Sequence, residues 1–335
     1  MQKKDYTLSL LFSSKDKEVF YQGISRYNSK VIDSLEVTAS EIKIRFSRTA
    51  KKNPEEYVYS ESSPVRYQLY RAACFYLAVV GFLPKVRRIV LRTDKLQTEL
   101  DKALLIQSWD DCRIKITLPI ETAARCFSEE DKKYYTIITY FLKAQLDPFH
   151  HDAFRAAWSG LNGIYSELSE SQYEKDKLSA MSEILRIHRA TNAEEYAKTL
   201  DTDFWRHVQW HNYVQWRTMP KVEEAIMNNR YPDLMVYKGL ADYLISIYKK
   251  TNQTEKAQRI EQYAQARIKK KVTNTNDRVR FLVTEYCYMI RNRSFHAGKP
   301  YPIFNMKNAD KKTTEQQLTE LILLVIRDIL VQRII

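Results

Sequence analysis

The sequence predicts an α+β protein in which a small N-terminal α+β domain precedes a larger all-α domain. Segments of alternating apolar and polar residues, typical of strands, occur only before residue 128, and apolar residues at helical spacing occupy most of the chain after it. Only six of the 335 residues are glycine, a composition that favours helices. We therefore expect domains at residues 1–127 and 128–335. The second is either one helical bundle or a bundle with a helical insertion at about residues 170–270.

The first domain is expected to contain several strands and one long helix. Residues 41–46 read Glu-Ile-Lys-Ile-Arg-Phe and alternate without interruption. A polar, charged stretch at residues 47–63 is typical of a surface loop. A proline then opens a helix predicted over residues 64–82, with Ser62 or Ser63 as its N-cap. The predicted strands cover residues 6–12, 31–37, 41–46, 86–92 and 113–118.

The second domain begins with acidic residues that favour a helix start. This first helix runs from about Ser128 to Ala144, and Asp147-Pro148 ends it. The next begins near Asp152, which we interpret as an N-cap rather than a metal ligand. Residues 313–316, Thr-Thr-Glu-Gln, match a capping box for the last helix. The helices between are predicted near residues 173–189, 193–200, 203–217, 221–228, 232–250, 254–270 and 278–291.

The composition narrows the class of partner and compartment. A net charge of +13 and a pI near 9.3 fit a polyanionic partner or a basic protein without one. Arg48, Lys51 and Lys52 in the polar loop fit nucleic-acid binding or a solvated face. No signal peptide or membrane-spanning stretch is evident, so we expect a soluble cytoplasmic protein. A reducing compartment also fits the cysteines, none of which forms a CxxC pair: Cys74, Cys112, Cys126 and Cys287.

The stretch Arg291-Asn292-Arg293-Ser294-Phe295-His296 is the centre of the functional interpretation. It closes an amphipathic helix and precedes a last apolar helix. This arrangement resembles the HEPN family (higher eukaryotes and prokaryotes nucleotide-binding), whose signature is an arginine, four to six residues and a histidine. Asn292 directly follows the arginine, as is frequent in that family. The aromatic-rich segment at residues 154–165 is similar to the first bundle helix of the Apea-like branch. It has Asn162-Gly163 where that branch usually has a glutamate.

The resemblance covers about residues 130–335 and implies a HEPN-like bundle with a metal-independent, cofactor-free endoribonuclease site. In that mechanism His296 moves protons, Arg291 contacts the scissile phosphate, and Asn292 holds the histidine or the phosphate. The resemblance also implies a homodimer with a composite site and a toxin-like or antiphage role, in which a regulatory or antitoxin partner restrains the enzyme. The residues expected to hold the RNA backbone are Arg293, Lys299, Lys307, Lys311 and Lys312.

Two other functions fit the same residues. One is a HEPN sensor or scaffold that binds RNA or a nucleotide without cleaving it. The other is an unrelated helical interaction protein, in which Arg291 and His296 are simply cations at a helix C-terminus.

Two patterns outside the motif also have alternative interpretations. His207 and His211 are four residues apart, a spacing that can hold a metal, but no glutamate of a zinc protease lies between them. Three tryptophans in the same segment can stack RNA bases or pack in the core: Trp205, Trp210 and Trp216.

Overall fold

The computed structural model describes residues 3–14, 18–28, 31–49, 53–94, 96–106, 109, 112–128, 132–270, 273–296 and 312–333. The chain divides into two compact units, Met1–Pro148 and Phe149–Ile335. The first contains a six-stranded antiparallel sheet, whereas the described residues of the second form helices and no strand. The predicted α+β class, with most of the chain helical, is confirmed. Within the described ranges, no helix has the length and apolar character needed to cross a membrane.

The sheet of the first unit is organised around its first strand. Its strands are β1 (Lys3–Phe12), β2 (Val19–Asn28), β3 (Val31–Thr38), β4 (Glu41–Thr49), β5 (Val86–Arg92) and β6 (Gln97–Glu99). Their spatial order is β2-β3-β4-β1-β5-β6. Leu8 of β1 lies between Ile44 and Leu91 of the neighbouring strands. Alternate residues of β1 from Tyr6 to Phe12 are buried, which places one face of the sheet on the core.

The described part of the first unit also contains helices, and the second and third of them contact the sheet. They are α1 (Glu56–Tyr59), α2 (Pro64–Val80), α3 (Ile120–Cys126) and α4 (Lys132–Leu146). The start of α2 confirms the predicted cap, because Ser63 Oγ accepts a hydrogen bond from Val65 N at 3.2 Å. Gly81 ends the helix with φ 87°, a conformation that glycine adopts at little cost. Since α4 contacts α2 and α3, it lies in the first unit, and the units divide after Pro148 rather than near residue 128.

The predicted strand at residues 113–118 is wrong. Arg113 forms only an isolated bridge, and a single side chain binds the backbone that follows it. Gln145 Oε1 accepts the N–H groups of Lys115 at 3.2 Å and Ile116 at 2.8 Å, and its Nε2 donates to the Ile116 carbonyl at 3.1 Å. A side-chain amide therefore satisfies the backbone groups that a neighbouring strand would have bound.

The described part of the second unit is built from helices. These are α5 (His150–Glu167), α6 (Glu174–Ile187), α7 (Thr191–Lys198), α8 (Thr202–His207), α9 (Trp210–Arg217), α10 (Met219–Met227), α11 (Leu234–Lys250), α12 (Thr254–Lys269), α13 (Thr275–Arg280), α14 (Cys287–His296) and α15 (Thr314–Gln332). A π-helical segment, Phe281–Tyr286, joins α13 to α14. Helix α15 packs along α5 and α7, whereas α9 to α12 pack on one another within the region of the expected insertion.

Local start signals predict one helix of this unit correctly and another incorrectly. The capping box of α15 is confirmed, because Thr313 and Gln316 each accept a hydrogen bond from the other's backbone N–H. Helix α5 instead begins at His150 with Phe149 at its N-cap, so the prediction that Asp152 is the N-cap is wrong. The Asp152 carboxylate lies in the first turn, where the helix dipole still favours a negative charge.

Candidate functional site

The predicted motif closes a continuous helical run made of α13, the π-helical segment and α14. The run starts at Asn274, whose Oδ1 accepts a hydrogen bond from Asp277 N at 3.2 Å. The run contacts α6, α7 and α15. Arg291 and Asn292 come directly after the apolar residues of this run, and both are half-buried. The predicted apolar stripe is confirmed, since all its members are buried: Val279, Leu282, Val283, Tyr286, Met289 and Ile290.

The π-helical segment lies directly before the helix that carries the motif. Over Phe281–Tyr286 the backbone follows the wider i→i+5 pattern, which is rare and frequent at functional sites. A π turn holds more residues than an α turn, so the residues after it are rotated relative to a regular helix. The direction in which Arg291 leaves the helix therefore depends on this segment as well as on residue spacing.

Glu174 and Asn292 both bind the guanidinium of Arg291. Its Nη1 donates to Glu174 Oε2 at 3.1 Å and to Asn292 Oδ1 at 2.8 Å. Glu174 is the first residue of α6, and its other carboxylate oxygen accepts the hydroxyl of Tyr165 at 2.8 Å. We refer to Arg291, Asn292, Glu174 and Tyr165 as the Arg291 cluster. The side chains of Arg291 and Glu174 are 22% and 27% exposed, so solvent reaches this ion pair.

Tyr165 acts in the cluster as a hydrogen-bond donor. Burial raises the pKa of its hydroxyl well above the ordinary value. The hydrogen bond to Glu174 and the charge of that carboxylate raise the pKa further, against the opposing effect of Arg291. The hydroxyl therefore stays protonated across the physiological range. Glu174 is consequently fixed between one neutral donor and one cationic donor.

An aromatic group packs beside the start of α14. Tyr288 stacks on Trp158 with ring centroids 6.2 Å apart and an angle of 22° between the planes. Trp216 of α9 meets Tyr288 edge-on at 5.9 Å, and Trp158 also contacts Tyr165 at 6.0 Å. Because Tyr288 lies one turn before Asn292, these rings restrict the movement of the helix that presents the cluster.

The structure brings Arg291 and Asn292 together and places Arg293, exposed, on the same helix. Position 296 is the last residue of α14, four residues after Asn292 and so on the same helical face. Lys312 contacts the carboxylate of Glu320 and lies over a tyrosine ring of α7. The remaining predicted site groups lie outside the described part of the chain: the side chain of His296, and Lys299, Lys307 and Lys311.

Sequence analysis missed Glu174 and Tyr165 as members of the site. In the sequence, Glu174 is an ordinary acidic residue in the first turn of a helix, and Tyr165 belongs to an apolar stripe. Glu174 and Arg291 are 117 positions apart. No local pattern connects them, and they meet only because α6 packs on the helical run that ends with α14.

The two histidines considered as metal ligands lie on different helices. The single helix predicted at residues 203–217 is wrong, because Gln209 N donates to the hydroxyl of Tyr286 at 2.8 Å instead of to a helical carbonyl. Nδ1 of His207 contacts a carbonyl of its own helix, and Nδ1 of His211 contacts a tyrosine hydroxyl of α11. Among the residues that the structure describes, no group of three or more His, Cys, Asp or Glu could hold a metal ion.

The three tryptophans of this region pack against other aromatic rings of the second unit. Trp205 is buried and stacks on Trp210 at 6.2 Å with nearly parallel planes. Trp210 stacks in turn on Phe281 of the π-helical segment, and Trp216 contacts Tyr288. This arrangement favours the packing interpretation over RNA stacking.

No protein-family model, curated protein or solved structure matches the chain. The chemistry of the site is therefore argued from its residues. The guanidinium of Arg291 offers several donors in a fixed plane, which suits a phosphate group. The sequence places a histidine one turn beyond Asn292, and imidazole is the side chain that most often acts as a general acid or base.

Proposed function

We propose that the end of α14 is one half of the active site of a metal-independent endoribonuclease. The observation that supports this function is the Arg291 cluster. Asn292 and Glu174 orient the guanidinium, which remains partly open to solvent on the helix that ends at His296. An oriented cation and a histidine are the groups that we assign to phosphoryl transfer without a metal.

The proposed reaction combines two proton transfers with one phosphoryl transfer. His296 accepts the proton of a ribose 2′-hydroxyl, and the 2′-oxygen forms a bond to the adjacent phosphorus. The bond from phosphorus to the 5′-oxygen breaks, and that oxygen takes up a proton from the histidine of a second subunit. The products are a 2′,3′-cyclic phosphate and a 5′-hydroxyl. Arg291 stabilises the charge that grows on the non-bridging oxygens, and Asn292 orients the histidine or the phosphate.

The proposal includes a homodimer with a composite site. The resemblance to the HEPN family implies that the motif of a second copy, across a two-fold axis, supplies the acid. The exposed side chain of Arg293 then adds a cation for the RNA backbone. Sedimentation of the purified chain, with and without RNA, measures this association.

The test is cleavage of total RNA by the purified protein in excess EDTA. The unaltered chain should cleave, and Arg291→Ala and His296→Ala should each slow cleavage by about 10²–10³-fold. Arg186→Ala is the matched control, because it removes an exposed arginine of α6 whose partner is Glu183. Cleavage that persists unchanged in both site variants rules out the proposed site.

A second candidate function is RNA or nucleotide binding without cleavage. The observation that favours it is that Arg291 Nη1 already donates to two acceptors, which compete with a phosphate. This function predicts that RNA binding is weakened by Arg291→Ala while no cyclic-phosphate product forms with any variant. Binding and product analysis on the same samples separate the two functions.

A further inference from the structure

A cavity lies between α9, α10 and the π-helical segment. There the described residues enclose an open cavity of about 600 Å³. This volume falls in the range of small-molecule sites, about 300–1,000 Å³, and exceeds what a single inorganic ion fills. Val222 and Ala225 of α10 form an apolar part of its wall. The other residues that line the cavity are polar, and most of them are charged.

Three cations line the cavity, and two of them have an ion pair among the described residues. Arg217 Nη2 lies 3.4 Å from a carboxylate oxygen of Glu285, and Arg230 Nη2 lies 3.4 Å from one of Glu224. The second pair is mostly exposed, so solvent screens it. Lys221 has no ion pair among the described residues. The cavity therefore holds more positive charge than its carboxylates neutralise.

Two residues that line the cavity, Tyr231 and Glu285, are linked through the buried Tyr213 behind them. The hydroxyl of Tyr213 donates to Glu285, and it lies 3.2 Å from the hydroxyl of Tyr231. Burial raises the pKa of both tyrosines, and the charge of Glu285 raises it further, so both hydroxyls stay protonated. Because the Tyr213 proton goes to Glu285, Tyr231 donates its own proton to Tyr213. Tyr231 and Glu285, which line the cavity, are therefore left as acceptors for hydroxyl groups.

Two unusual backbone features adjoin the same cavity. Thr218, between Arg217 and the start of α10, has φ 74° and ψ 135°, a left-handed conformation that is unfavourable for a β-branched residue. Glu285 belongs to the π-helical segment. Backbone strain and π-helical turns both concentrate at functional sites.

We infer that this cavity binds a phosphate-bearing small molecule of sugar-phosphate to mononucleotide size. Lys221, with Arg217 and Arg230 beside it, takes the phosphate. Glu285 and Tyr231 bind hydroxyl groups of the attached sugar. This site is separate from the Arg291 cluster and does not depend on the proposed cleavage of RNA.

The test is isothermal titration of the full chain with three phosphomonoesters, namely glycerol phosphate, ribose 5-phosphate and AMP. At least one should bind saturably at one site per chain, more tightly than inorganic phosphate and more tightly than its unphosphorylated counterpart. Lys221→Gln and Arg230→Gln should each weaken that binding about tenfold or more. Lys250→Gln, which removes an exposed lysine of α11, is the matched control and should leave it unchanged.

The outcomes that overturn the inference are equally specific. They are no saturable binding of any of the three phosphomonoesters, or equal weakening by the Lys250→Gln control. Binding of inorganic phosphate as tight as that of the best ester overturns the assignment of ligand size. A single-stranded RNA oligonucleotide is titrated in parallel. If its binding alone depends on Lys221, the cavity is a nucleic-acid contact instead.

Discussion

Glu174→Gln separates the structural and functional parts of the Arg291 cluster. The glutamine keeps an oxygen that can accept the Tyr165 hydroxyl and removes the negative charge opposite Arg291. The guanidinium then loses the charge of the Glu174 carboxylate, which competes with a phosphate for it. We therefore expect a protein that unfolds more easily and binds RNA more tightly.

The size of the stability change follows from the geometry of the Arg291–Glu174 ion pair. At 3.1 Å, the attraction between unit charges is about 1.3 kcal/mol in water and about 5 kcal/mol at an effective dielectric constant of about 20. Both side chains are half-buried, and their desolvation offsets part of this attraction. The free energy of unfolding should therefore fall by about 1–2 kcal/mol. Each kcal/mol corresponds to a decrease of about 2–4 °C in Tm. Urea unfolding and calorimetry measure it.

The effect on RNA binding is measured with a 2′-O-methyl oligonucleotide, which cannot be cleaved through its 2′-oxygen. Each phosphate contact to a single strand contributes about 0.7 to the slope of log K against log salt concentration. Glu174→Gln should steepen this slope by about that amount. Glu183→Gln is the control, because it changes the same charge on α6 beside the exposed Arg186. Equal slopes for the two variants would refute the idea that Glu174 competes with phosphate for Arg291.

Two further predictions concern the packing of the second unit. Burial would raise the pKa of Glu194, but hydrogen bonds from Arg189 and Asn276 outweigh it and lower the pKa below 4.5. The charged carboxylate therefore stabilises the fold above that pH, and this stabilisation is lost as the pH falls. Glu194→Gln should lower the free energy of unfolding by about 1–3 kcal/mol at neutral pH and by less at about pH 3.5. Urea unfolding at both pH values measures the difference. In Gly239→Ala the new Cβ would lie 2.8 Å from Trp210 Nε1 and closer to its ring carbons. The overpacking cost of about 1–3 kcal/mol should exceed the helix-propensity gain of up to about 1 kcal/mol, and unchanged stability in urea, followed by tryptophan fluorescence, would contradict this contact.

Features that depend on one turn of chain are predicted well from the sequence. The cap of α2 at Ser63 and the capping box of Thr313 and Gln316 are confirmed, because donor and acceptor lie within three residues of each other. The apolar stripe before Arg291 is confirmed for a related reason, since helical spacing alone places its members on one side.

Elements that depend on distant partners are the ones that sequence analysis missed. Strand β2 lies at an edge of the sheet, where Val19 and Ile24 are 54% and 58% exposed. Its apolar residues therefore do not mark a buried face, and no alternation reveals it. The segment at residues 113–118 shows the opposite error, because its alternation predicts a strand whose backbone is bound by Gln145 of α4 instead.

The Arg291 cluster contains one contact between sequence neighbours and one contact between distant residues. The distant contact determines how the proposed half-site would bind RNA. Arg291 and Asn292 are adjacent in sequence, so their pairing follows from the motif, whereas Glu174 reaches the arginine only through the packing of α6. A phosphate that approaches Arg291 must replace or share this carboxylate, at a cost close to the value of the ion pair. Charge-assisted hydrogen bonds to the phosphate can offset that cost, and the cations of a second motif would lower the net energy further. A single chain with Glu174 in place should therefore bind RNA weakly. The pairing of two chains, or the removal of that carboxylate, should strengthen binding through the same guanidinium.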